Sequence, residues 1–354
     1  PVESRAGELE VVTKVGRGGE GTRQLGPGAP GAQAATPVAS LRWIGMSALS
    51  TEVRLFHKRR TRSAPSPIPR SLSMPNFMSH SGEIVRISNQ RIDELRPLLR
   101  GTIVLPDDPG YDERRAIWNA MIDRRPAAIL ECRGASDVQG AVRFARSEGI
   151  AFTVRGAGHN IAGKAVADGV LLIDTSTMTG IRVDPDTRTV RVEPGCTLGD
   201  LDRETQAFGL AVPTGINSTT GIAGLTLGGG MGWLSRKHGL TIDSLLEVDL
   251  VTAKGDRLRA SATENPDLFW AVRGGGGNFG IVTSFLFQAH SHGPQVLSGL
   301  LVHPFADAPN VLRAWRDFNA DVSDDVTAWA VMRKAPPLPF LPPEVHGTTV
   351  LILA

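Results

Sequence analysis

Two segments of the chain carry apolar residues at the three- and four-residue spacing of an amphipathic helix. Ser88 precedes the first segment and Ser136 the second, and each is predicted to cap its helix because a serine hydroxyl accepts a first-turn N–H. Gly149 is predicted to end the second helix, since glycine readily adopts the left-handed conformation. Ordered structure is therefore expected from about residue 84. The two apolar stripes are Ile92, Leu95, Leu98 and Leu99, and then Val138, Ala141, Val142 and Ala145.

Short apolar or alternating runs predict strands between and after these helices. Because the first two runs enclose a helix in a unit of about 30 residues, their strands are expected to be parallel. Further helices are predicted over residues 197–209 and after Asn265-Pro266. The predicted strands are residues 127–131, 150–155, 170–174, 189–192 and 281–289, with a hairpin formed by residues 245–253 and 256–260.

Composition sets residues 1–80 apart from the rest of the chain. They are rich in Gly, Ala, Pro, Ser and Arg, lack an apolar period and hold 11 Lys+Arg against 5 Asp+Glu. Such a segment buries too little apolar surface to fold, so a disordered or spurious extension is expected, with the native start near Met74 or Met78. A basic nucleic-acid arm or a targeting peptide is the alternative interpretation. No apolar stretch follows Arg59-Arg60, as a twin-Arg export signal requires.

The remaining residues are predicted to form two domains, 81–293 and 294–354. After Gly293-Pro294 the pattern changes to strand, helix, strand, a Pro-rich loop and a last strand. This second domain is short, and the sequence stops inside its last strand. It is therefore expected to be an incomplete domain.

Composition also excludes several classes of protein. The 354 residues are 41% hydrophobic, which suffices for a sizeable core. No run of about 18 uncharged apolar residues predicts a membrane span, and two cysteines are too few for a disulfide scaffold. Residues 81–354 hold 27 Lys+Arg against 31 Asp+Glu, which predicts no nucleic-acid partner. No signal peptide is readable, so a cytoplasmic location is the default expectation.

Three glycine-rich stretches are candidates for ligand loops: RGAGHN at residues 155–160, GIAGLTLGGGMG at 221–232 and RGGGGNFG at 273–280. Such loops bring backbone N–H groups close to phosphate oxygens, but tight turns and close packing explain most glycines, and both interpretations stay open. The third stretch contains the dinucleotide fingerprint GxGxxG. A helix is predicted before it and a strand after it, the reverse of the order that the fingerprint requires. An NAD-dependent dehydrogenase is therefore disfavoured.

Two further side chains, His159 and Cys196, carry potential chemistry. His159 lies among small residues of the first glycine stretch, so its imidazole is expected to be accessible and little constrained. By default such a histidine is a solvated side chain or a hydrogen-bonder to the backbone, and no second histidine lies at metal-ligand spacing. Cys196 precedes a predicted helix N-terminus, which can lower a thiol pKa. With no histidine beside it in sequence, a buried structural thiol is the favoured interpretation.

Several spaced sequence blocks resemble those of the FAD-linked oxidases of the berberine bridge enzyme type, within the vanillyl-alcohol oxidase class, and occur in the same order. The resemblance is greatest to the bacterial 6-hydroxy-D-nicotine oxidase branch. The resemblance runs over about residues 111–353. The blocks are YDERRAIWN, RPAAILECRGASDVQGAV, RGAGHNIAG, PTGINSTTGIAGLTLGGGMGWLSRKHGLTIDSL, NPDLFWAVRGGGGNFGIVTSF and PPLPFLPPEVHG.

The resemblance implies an α+β fold, in which a PCMH-type FAD-binding domain of two α/β subdomains precedes an incomplete substrate domain with an antiparallel sheet. It also implies FAD as cofactor, attached covalently where His159 falls, and loops on the pyrophosphate, the isoalloxazine and the ribityl chain. The cofactor-binding residues it implies are Arg155, Gly156, Ala157, Gly158, His159, Asn160, Gly163, Pro213, Thr214, Gly215, Asn217, Thr220, Gly221, Gly224, Gly228, Gly229, Gly230, Asn278, Ile281 and Val282.

Two departures from the family pattern change what is expected. Doubly linked members carry a cysteine where this chain has Asn217, so a single link through His159 is predicted. Thr220 falls where the family controls oxygen access, and it leaves oxidase against dehydrogenase open. The family's C-terminal segment with its Asn and Tyr residues has no counterpart, and the only tyrosine, Tyr111, precedes the FAD domain. No catalytic base can be assigned.

The resemblance implies an oxidoreductase that takes a hydride from a CH–OH or CH–NH carbon of a small molecule and passes the electrons to molecular oxygen or another acceptor. A non-catalytic, flavin-binding fragment of such an enzyme is the alternative.

Overall fold

The computed structural model describes residues 74–339 and 341–354. The predicted extension covers residues 1–80, and its residues 1–73, with the basic arm, lie outside these described residues. The chain divides into two compact units at Gly293, so that residues 74–292 belong to one unit and residues 293–354 to the other.

Short strands and helices alternate through both units. The strands are β1 (Asn76–Met78), β2 (Ile84–Arg86), β3 (Thr102–Val104), β4 (Ala128–Glu131), β5 (Phe152–Arg155), β6 (Leu171–Asp174), β7 (Ile181–Asp184), β8 (Thr189–Val192), β9 (Leu210–Ala211), β10 (Leu245–Val251), β11 (Arg257–Ser261), β12 (Ile281–Gln288), β13 (His290–Ser291), β14 (Leu301–Pro304), β15 (Ala330–Lys334) and β16 (Thr349–Leu353). The helices are α1 (Asn89–Leu95), α2 (Tyr111–Arg115), α3 (Ala135–Glu148), α4 (Leu198–Gln206), α5 (Ile222–Leu227), α6 (Ser235–His238), α7 (Pro266–Val272) and α8 (Ala308–Asp321).

Ordered structure begins earlier than residue 84, where the sequence placed it. The β1–β2 hairpin precedes α1, and Phe77 is only 1% exposed in the core. The Met78 N–H donates to the Gly169 carbonyl, and the Ala151 N–H donates to the Met78 carbonyl. A three-residue strand is too short to show periodicity, so its burial could not be recognised from the sequence.

Helix α1 begins as predicted and ends early. The Ser88 hydroxyl accepts the Arg91 N–H at 3.3 Å, which confirms the cap. The predicted stripe is wrong at Leu98, which is 76% exposed. Pro97 has no N–H to donate, and the chain tightens there into a 3-10 turn that rotates Leu98 outward.

Helix α3 ends at Gly149 as predicted, with φ at +68°, but Ser136 does not cap it. Its hydroxyl instead accepts a hydrogen bond from Arg257. The buried Asp137 carboxylate accepts the N–H groups of Arg100 and Arg133, so its negative charge lies in the first helical turn, where the helix dipole favours it. The neighbouring acid therefore ties this helix start to the loops before β3 and after β4.

The first sheet has the strand order β3-β4-β6-β5. Strands β4 and β5 run parallel, as predicted from the β-α-β unit, but β6 lies between them and pairs with both. Helix α3 and the β1–β2 hairpin contribute to the core on this sheet.

The second sheet is antiparallel, with the order β11-β10-β12-β8-β7, and it contains the predicted hairpin as β10 and β11. Adjacent residues on a strand point to opposite faces. Leu250 and Val282 accordingly pack into this sheet's own core, whereas their neighbours Val251 and Ile281 pack into the core of the first sheet. Helix α4 lies against this sheet and begins after Thr197, near its predicted start, with the Thr197 side chain as its cap. It ends at Gln206, before the predicted end at residue 209.

The unit of residues 293–354 is a three-stranded antiparallel sheet, β14-β16-β15, with helix α8 beside it. Ala335, Leu341 and Val350 form its small core.

Arg155 and Asp174 form a buried ion pair where β5 and β6 end side by side. The Arg155 Nε and Nη2 atoms lie 3.2 and 2.5 Å from the two Asp174 carboxylate oxygens, and the side chains are 8% and 1% exposed. Arg155 Nη1 also donates to the Ala116 carbonyl at 3.1 Å. One guanidinium thus joins two strands and a loop at the carboxyl edge of the sheet.

Removal of the Asp174 carboxylate is expected to destabilise the chain strongly. In Asp174→Asn the buried guanidinium loses its counter-charge, and breaking such a pair costs about 3–5 kcal/mol. Urea denaturation measures the free energy of unfolding. The control Arg124→Met removes an exposed ion pair with Asp168, which is worth about 0–1 kcal/mol. Equal losses in the two variants would contradict the role given to the buried pair.

Candidate functional site

The first glycine stretch leaves the sheet directly after β5. Because the Arg155 guanidinium already donates to Asp174 and to the Ala116 carbonyl, this side chain supports the loop from inside the protein. Gly158 and Gly163 both have φ of +69°, a conformation that L side chains rarely adopt. The Asn160 side chain accepts the Lys164 N–H and closes the turn.

Five consecutive backbone N–H groups of this loop, at residues 156–160, donate to no acceptor among the residues that the structure describes. Backbone donors in folded proteins are almost always paired with protein or water. Successive N–H groups at a bend form a concave site for an anion. The donor set of this loop therefore fits the pyrophosphate of a dinucleotide such as FAD.

His159 is half-buried and held on two sides, so the expectation of a little-constrained imidazole is wrong. Its ring stacks on the Trp118 indole, with centroids 4.6 Å apart and planes 24° apart. Its Nε2 lies 3.4 Å from the Thr219 hydroxyl oxygen. Burial lowers the pKa of His159 below its ordinary value, because desolvation disfavours the charged imidazolium.

The second glycine stretch lies against the first. A methyl group at Gly221 would lie 2.7 Å from the Ala157 Cβ, and one at Gly156 would lie 3.7 Å from the Ala223 Cβ. The absence of side chains here lets the start of α5 approach residues 156–160, which we call the anion loop. Further along, a methyl group at Gly232 would overlap the Thr214 carbonyl. The segments before and after α5 are therefore packed backbone to backbone.

Around these segments, the predicted residue Pro213 supports the backbone, and other residues form an exposed surface. The Pro213 carbonyl accepts the buried Thr241 hydroxyl at 2.7 Å, which ties the start of this segment to the turn after α6. Ile216 and Met231, by contrast, are 47% and 64% exposed. They offer an apolar surface of the kind that aromatic rings bind.

The third glycine stretch follows helix α7 and leads into β12, so the failure of the GxGxxG context is confirmed. Its 3-10 turn, Gly276–Phe279, contacts α5. The Asn278 amide donates to the Gly275 carbonyl at 2.9 Å, and Ile281 and Val282 are buried on the strand. All three stretches therefore meet at α5.

Cys196 is a buried structural thiol, as favoured from the sequence. Its side chain is 0% exposed, and burial raises its pKa to about 12. In the part of the chain that the structure describes, no group of three or more His, Cys, Asp or Glu residues is arranged to hold a metal ion. None of the described helices combines the length and the apolar character that crossing a bilayer needs.

Sequence reasoning missed Trp118 and Thr219, the two residues that contact the His159 ring. It also missed a second stacked pair, His238 on α6 and His290 on β13, with ring centroids 3.9 Å apart. A tryptophan between charged segments was the one available signal for Trp118. Contacts that span 41 or more residues leave no periodicity to read.

The fold is similar to that of PCMH-type FAD-binding oxidases. Residues 126–261 match the family described as an FAD binding domain. The crystal structure of 6-hydroxy-D-nicotine oxidase from Arthrobacter nicotinovorans superposes with a TM-score of 0.65 at 33% identity, covering 72% of this chain and 55% of that one. BBE-like 1 of Physcomitrella patens gives 0.63 at 28% identity, with 74% and 55% covered. The fold class predicted from the sequence is confirmed.

The chain is homologous to FAD-linked oxidases of the berberine-bridge-enzyme-like type, as the resemblance predicted. The (R)-6-hydroxynicotine oxidase of Paenarthrobacter nicotinovorans is 40% identical over 203 residues, 57% of this chain and 44% of that protein. The xylooligosaccharide oxidase of Thermothelomyces thermophilus is 36% identical over 205 residues, 56% of this chain and 40% of that protein. The chain thus spans about half the length of these relatives or less.

An alanine at Gly224 is expected to weaken FAD binding without loss of stability. Gly224 lies exposed on α5 with open space around it, so Gly224→Ala should stabilise the helix by about 0.5–1 kcal/mol while its methyl group projects into that open space. Equilibrium dialysis with FAD is expected to show roughly tenfold weaker binding, which corresponds to about 1.4 kcal/mol. The control Gly140→Ala, in α3, should bind FAD normally; unchanged binding by Gly224→Ala would contradict a cofactor on this face.

Proposed function

We propose that the chain is the FAD-binding part of an oxidoreductase that oxidises a CH–OH or CH–NH carbon of a small molecule, with the flavin linked covalently through His159 alone. One observation carries the proposal: a half-buried imidazole lies on the same loop as five backbone N–H groups that have no partner among the described residues. An anion site and a nucleophilic nitrogen side by side are what a covalently held dinucleotide requires. When bound, the flavin supplies hydride acceptance, and molecular oxygen or another acceptor reoxidises it.

The loop performs the binding step. Backbone N–H groups at residues 156–160 would donate to pyrophosphate oxygens, and they need no charged side chain to do so. This suits a position where Arg155 is already engaged with Asp174. On this short segment, the Arg155 side chain forms the buried ion pair, while the backbone of residues 156–160 is left to bind the anion.

His159 would act as the nucleophile, since only a neutral imidazole nitrogen can attack an electrophilic flavin methyl group. Burial favours the neutral ring, because it lowers the pKa of His159. The stack with Trp118 and the contact with Thr219 restrict rotation of the ring. The loop therefore holds a nucleophile that is both deprotonated near neutral pH and oriented.

A single link is proposed because no thiol is available for a second. Asn217 stands where doubly linked relatives carry cysteine, and its amide oxygen accepts the Thr219 N–H and hydroxyl. A carboxamide cannot form a thioether. Cys132 and Cys196 are both 0% exposed, and burial raises both thiol pKa values, so neither presents a thiolate.

The substrate is proposed to be a small molecule that is oxidised at a CH–OH or CH–NH carbon. The names of two relatives, a hydroxynicotine oxidase and a xylooligosaccharide oxidase, support a small-molecule substrate. A second candidate function is flavin binding without turnover by this chain. Tyr111, the only tyrosine, is buried, donates its hydroxyl to the Pro126 carbonyl at 2.6 Å and has a pKa raised by desolvation. It cannot serve as a phenolate base, and a yellow chain that oxidises no alcohol or amine would favour this second function.

His159→Ala is expected to abolish acid-stable flavin. The parent chain, expressed with FAD and precipitated with acid, should retain yellow fluorescent flavin in the pellet, whereas the variant should release all of it because alanine has no nucleophile. His80→Ala, at an exposed position of the β1–β2 hairpin, is the matched control and should retain flavin. Flavin retained by His159→Ala would refute the link, and pellets that are colourless throughout would do the same.

The rate of covalent attachment is expected to depend on pH in one direction. Because burial lowers the pKa of His159 below 6.5, the neutral ring predominates at pH 7 and is lost only as the pH falls through that lowered value. The rate of formation of acid-stable flavin, measured between about pH 5 and pH 8, should therefore be level at the upper end of this range and fall toward its lower end, with a midpoint below 6.5. A midpoint at or above 6.5 would contradict the neutral nucleophile.

A further inference from the structure

The segment of residues 116–122 crosses the first glycine loop and bonds to it repeatedly. The Trp118 N–H donates to the Gly158 carbonyl at 3.1 Å, and the Asn119 side-chain amide donates to the Ile161 carbonyl at 2.7 Å. Ile122 occupies the space that a side chain at Gly163 would need, with its carbon atoms 2.7 Å from that position. We name residues 116–122 the strap.

The strap places the Trp118 indole flat on the His159 imidazole, yet Trp118 itself is 55% exposed. A large aromatic side chain left half in solvent contributes little to the core by burial. Its ring stacks on the side chain that carries the proposed chemistry. The strap is anchored at its start by Arg155, through the Ala116 carbonyl.

We propose that Trp118 is a positioning residue that orients the His159 ring for covalent attachment of the flavin. This inference rests on the proposed function of His159. The indole fixes the plane of the imidazole, and Thr219 faces its Nε2 edge, so rotation about the last side-chain bond is restricted. Reactions between held groups lose rate steeply when the geometry loosens, by up to about a hundredfold for a displacement of 1 Å.

The attachment that Trp118 would assist is a two-electron oxidation, with molecular oxygen as the oxidant. A bond forms between an imidazole nitrogen and the C8α carbon, and one C–H bond of that methyl group and one N–H bond of the imidazole are lost. The two electrons and two protons pass to molecular oxygen, which becomes hydrogen peroxide. Trp118 takes no part in the bonds and acts only on the orientation of the nucleophile.

Trp118→Leu in the full chain is expected to slow the formation of acid-stable flavin by about ten- to a hundredfold. Trp118→Phe keeps an aromatic face and should restore the rate to within about threefold of the parent. Reversible FAD binding, measured in the His159→Ala background so that no bond forms, should change by less than about threefold in either variant, because the anion loop is backbone. Trp270→Leu removes a tryptophan that is 79% exposed on α7 and should behave like the parent.

A spectroscopic readout separates positioning from a general structural role. The ring protons of His159 lie over the indole face, so their NMR resonances in the flavin-free chain should be shifted upfield by its ring current. The shift should vanish in Trp118→Leu and persist in Trp118→Phe and Trp270→Leu. Trp118→Leu with the parent's attachment rate, or with the upfield shift retained, would overturn the inference while leaving the link intact. Absence of attachment in the parent would overturn both the inference and the proposed link.

Discussion

The buried ion pair of Arg155 and Asp174 is the interaction on which the arrangement of the site depends. It closes the carboxyl ends of β5 and β6 and reaches the strap through the Ala116 carbonyl. A charge in the interior is stable only when it is paired and its remaining hydrogen-bonding capacity is used. That requirement makes the two strands, the anion loop and the strap one assembly, because displacement of any of them would leave part of the pair unsatisfied.

The loop that this pair supports can bind an anion with backbone groups alone. Glycine is required where the chain turns at positive φ, as at Gly158 and Gly163, and where two backbones meet, as at Gly221. The same lack of side chains leaves His159 as the prominent side chain of the loop. Its chemistry is then set by neighbours from distant segments: Trp118 covers one face, and Thr219 meets one edge.

The elements that the sequence predicted are those with local causes. Periodicity located α1, α3 and β12, and the cap at Ser88 follows from a side chain within three residues of the N–H group that it accepts. The predicted cap at Ser136 is wrong because the carboxylate of the next residue, Asp137, accepts N–H groups from two loops. No local sequence pattern indicates these contacts. The order of strands in the first sheet likewise depends on where β6 inserts, which is a tertiary event.

The candidate site shows the same limit at the level of single residues. Motif blocks located the glycine stretches and His159, because the resemblance carries the order of the blocks along the chain. Arg155 was expected among the cofactor contacts, and only the structure shows its guanidinium engaged within the protein. The Trp118 stack joins residues 41 positions apart, so neither composition nor spacing could indicate it.

Strands β10 and β12 contribute side chains to two different cores, and this limits how the domain can be separated into parts. Val251 and Ile281 belong to the second sheet by hydrogen bonding and to the first by packing. The first sheet therefore completes its interior with side chains from the second, and it is not a module that recombination could exchange alone. Separation of the sheets would expose aliphatic surface on both pieces, so the two sheets are expected to unfold as one cooperative unit.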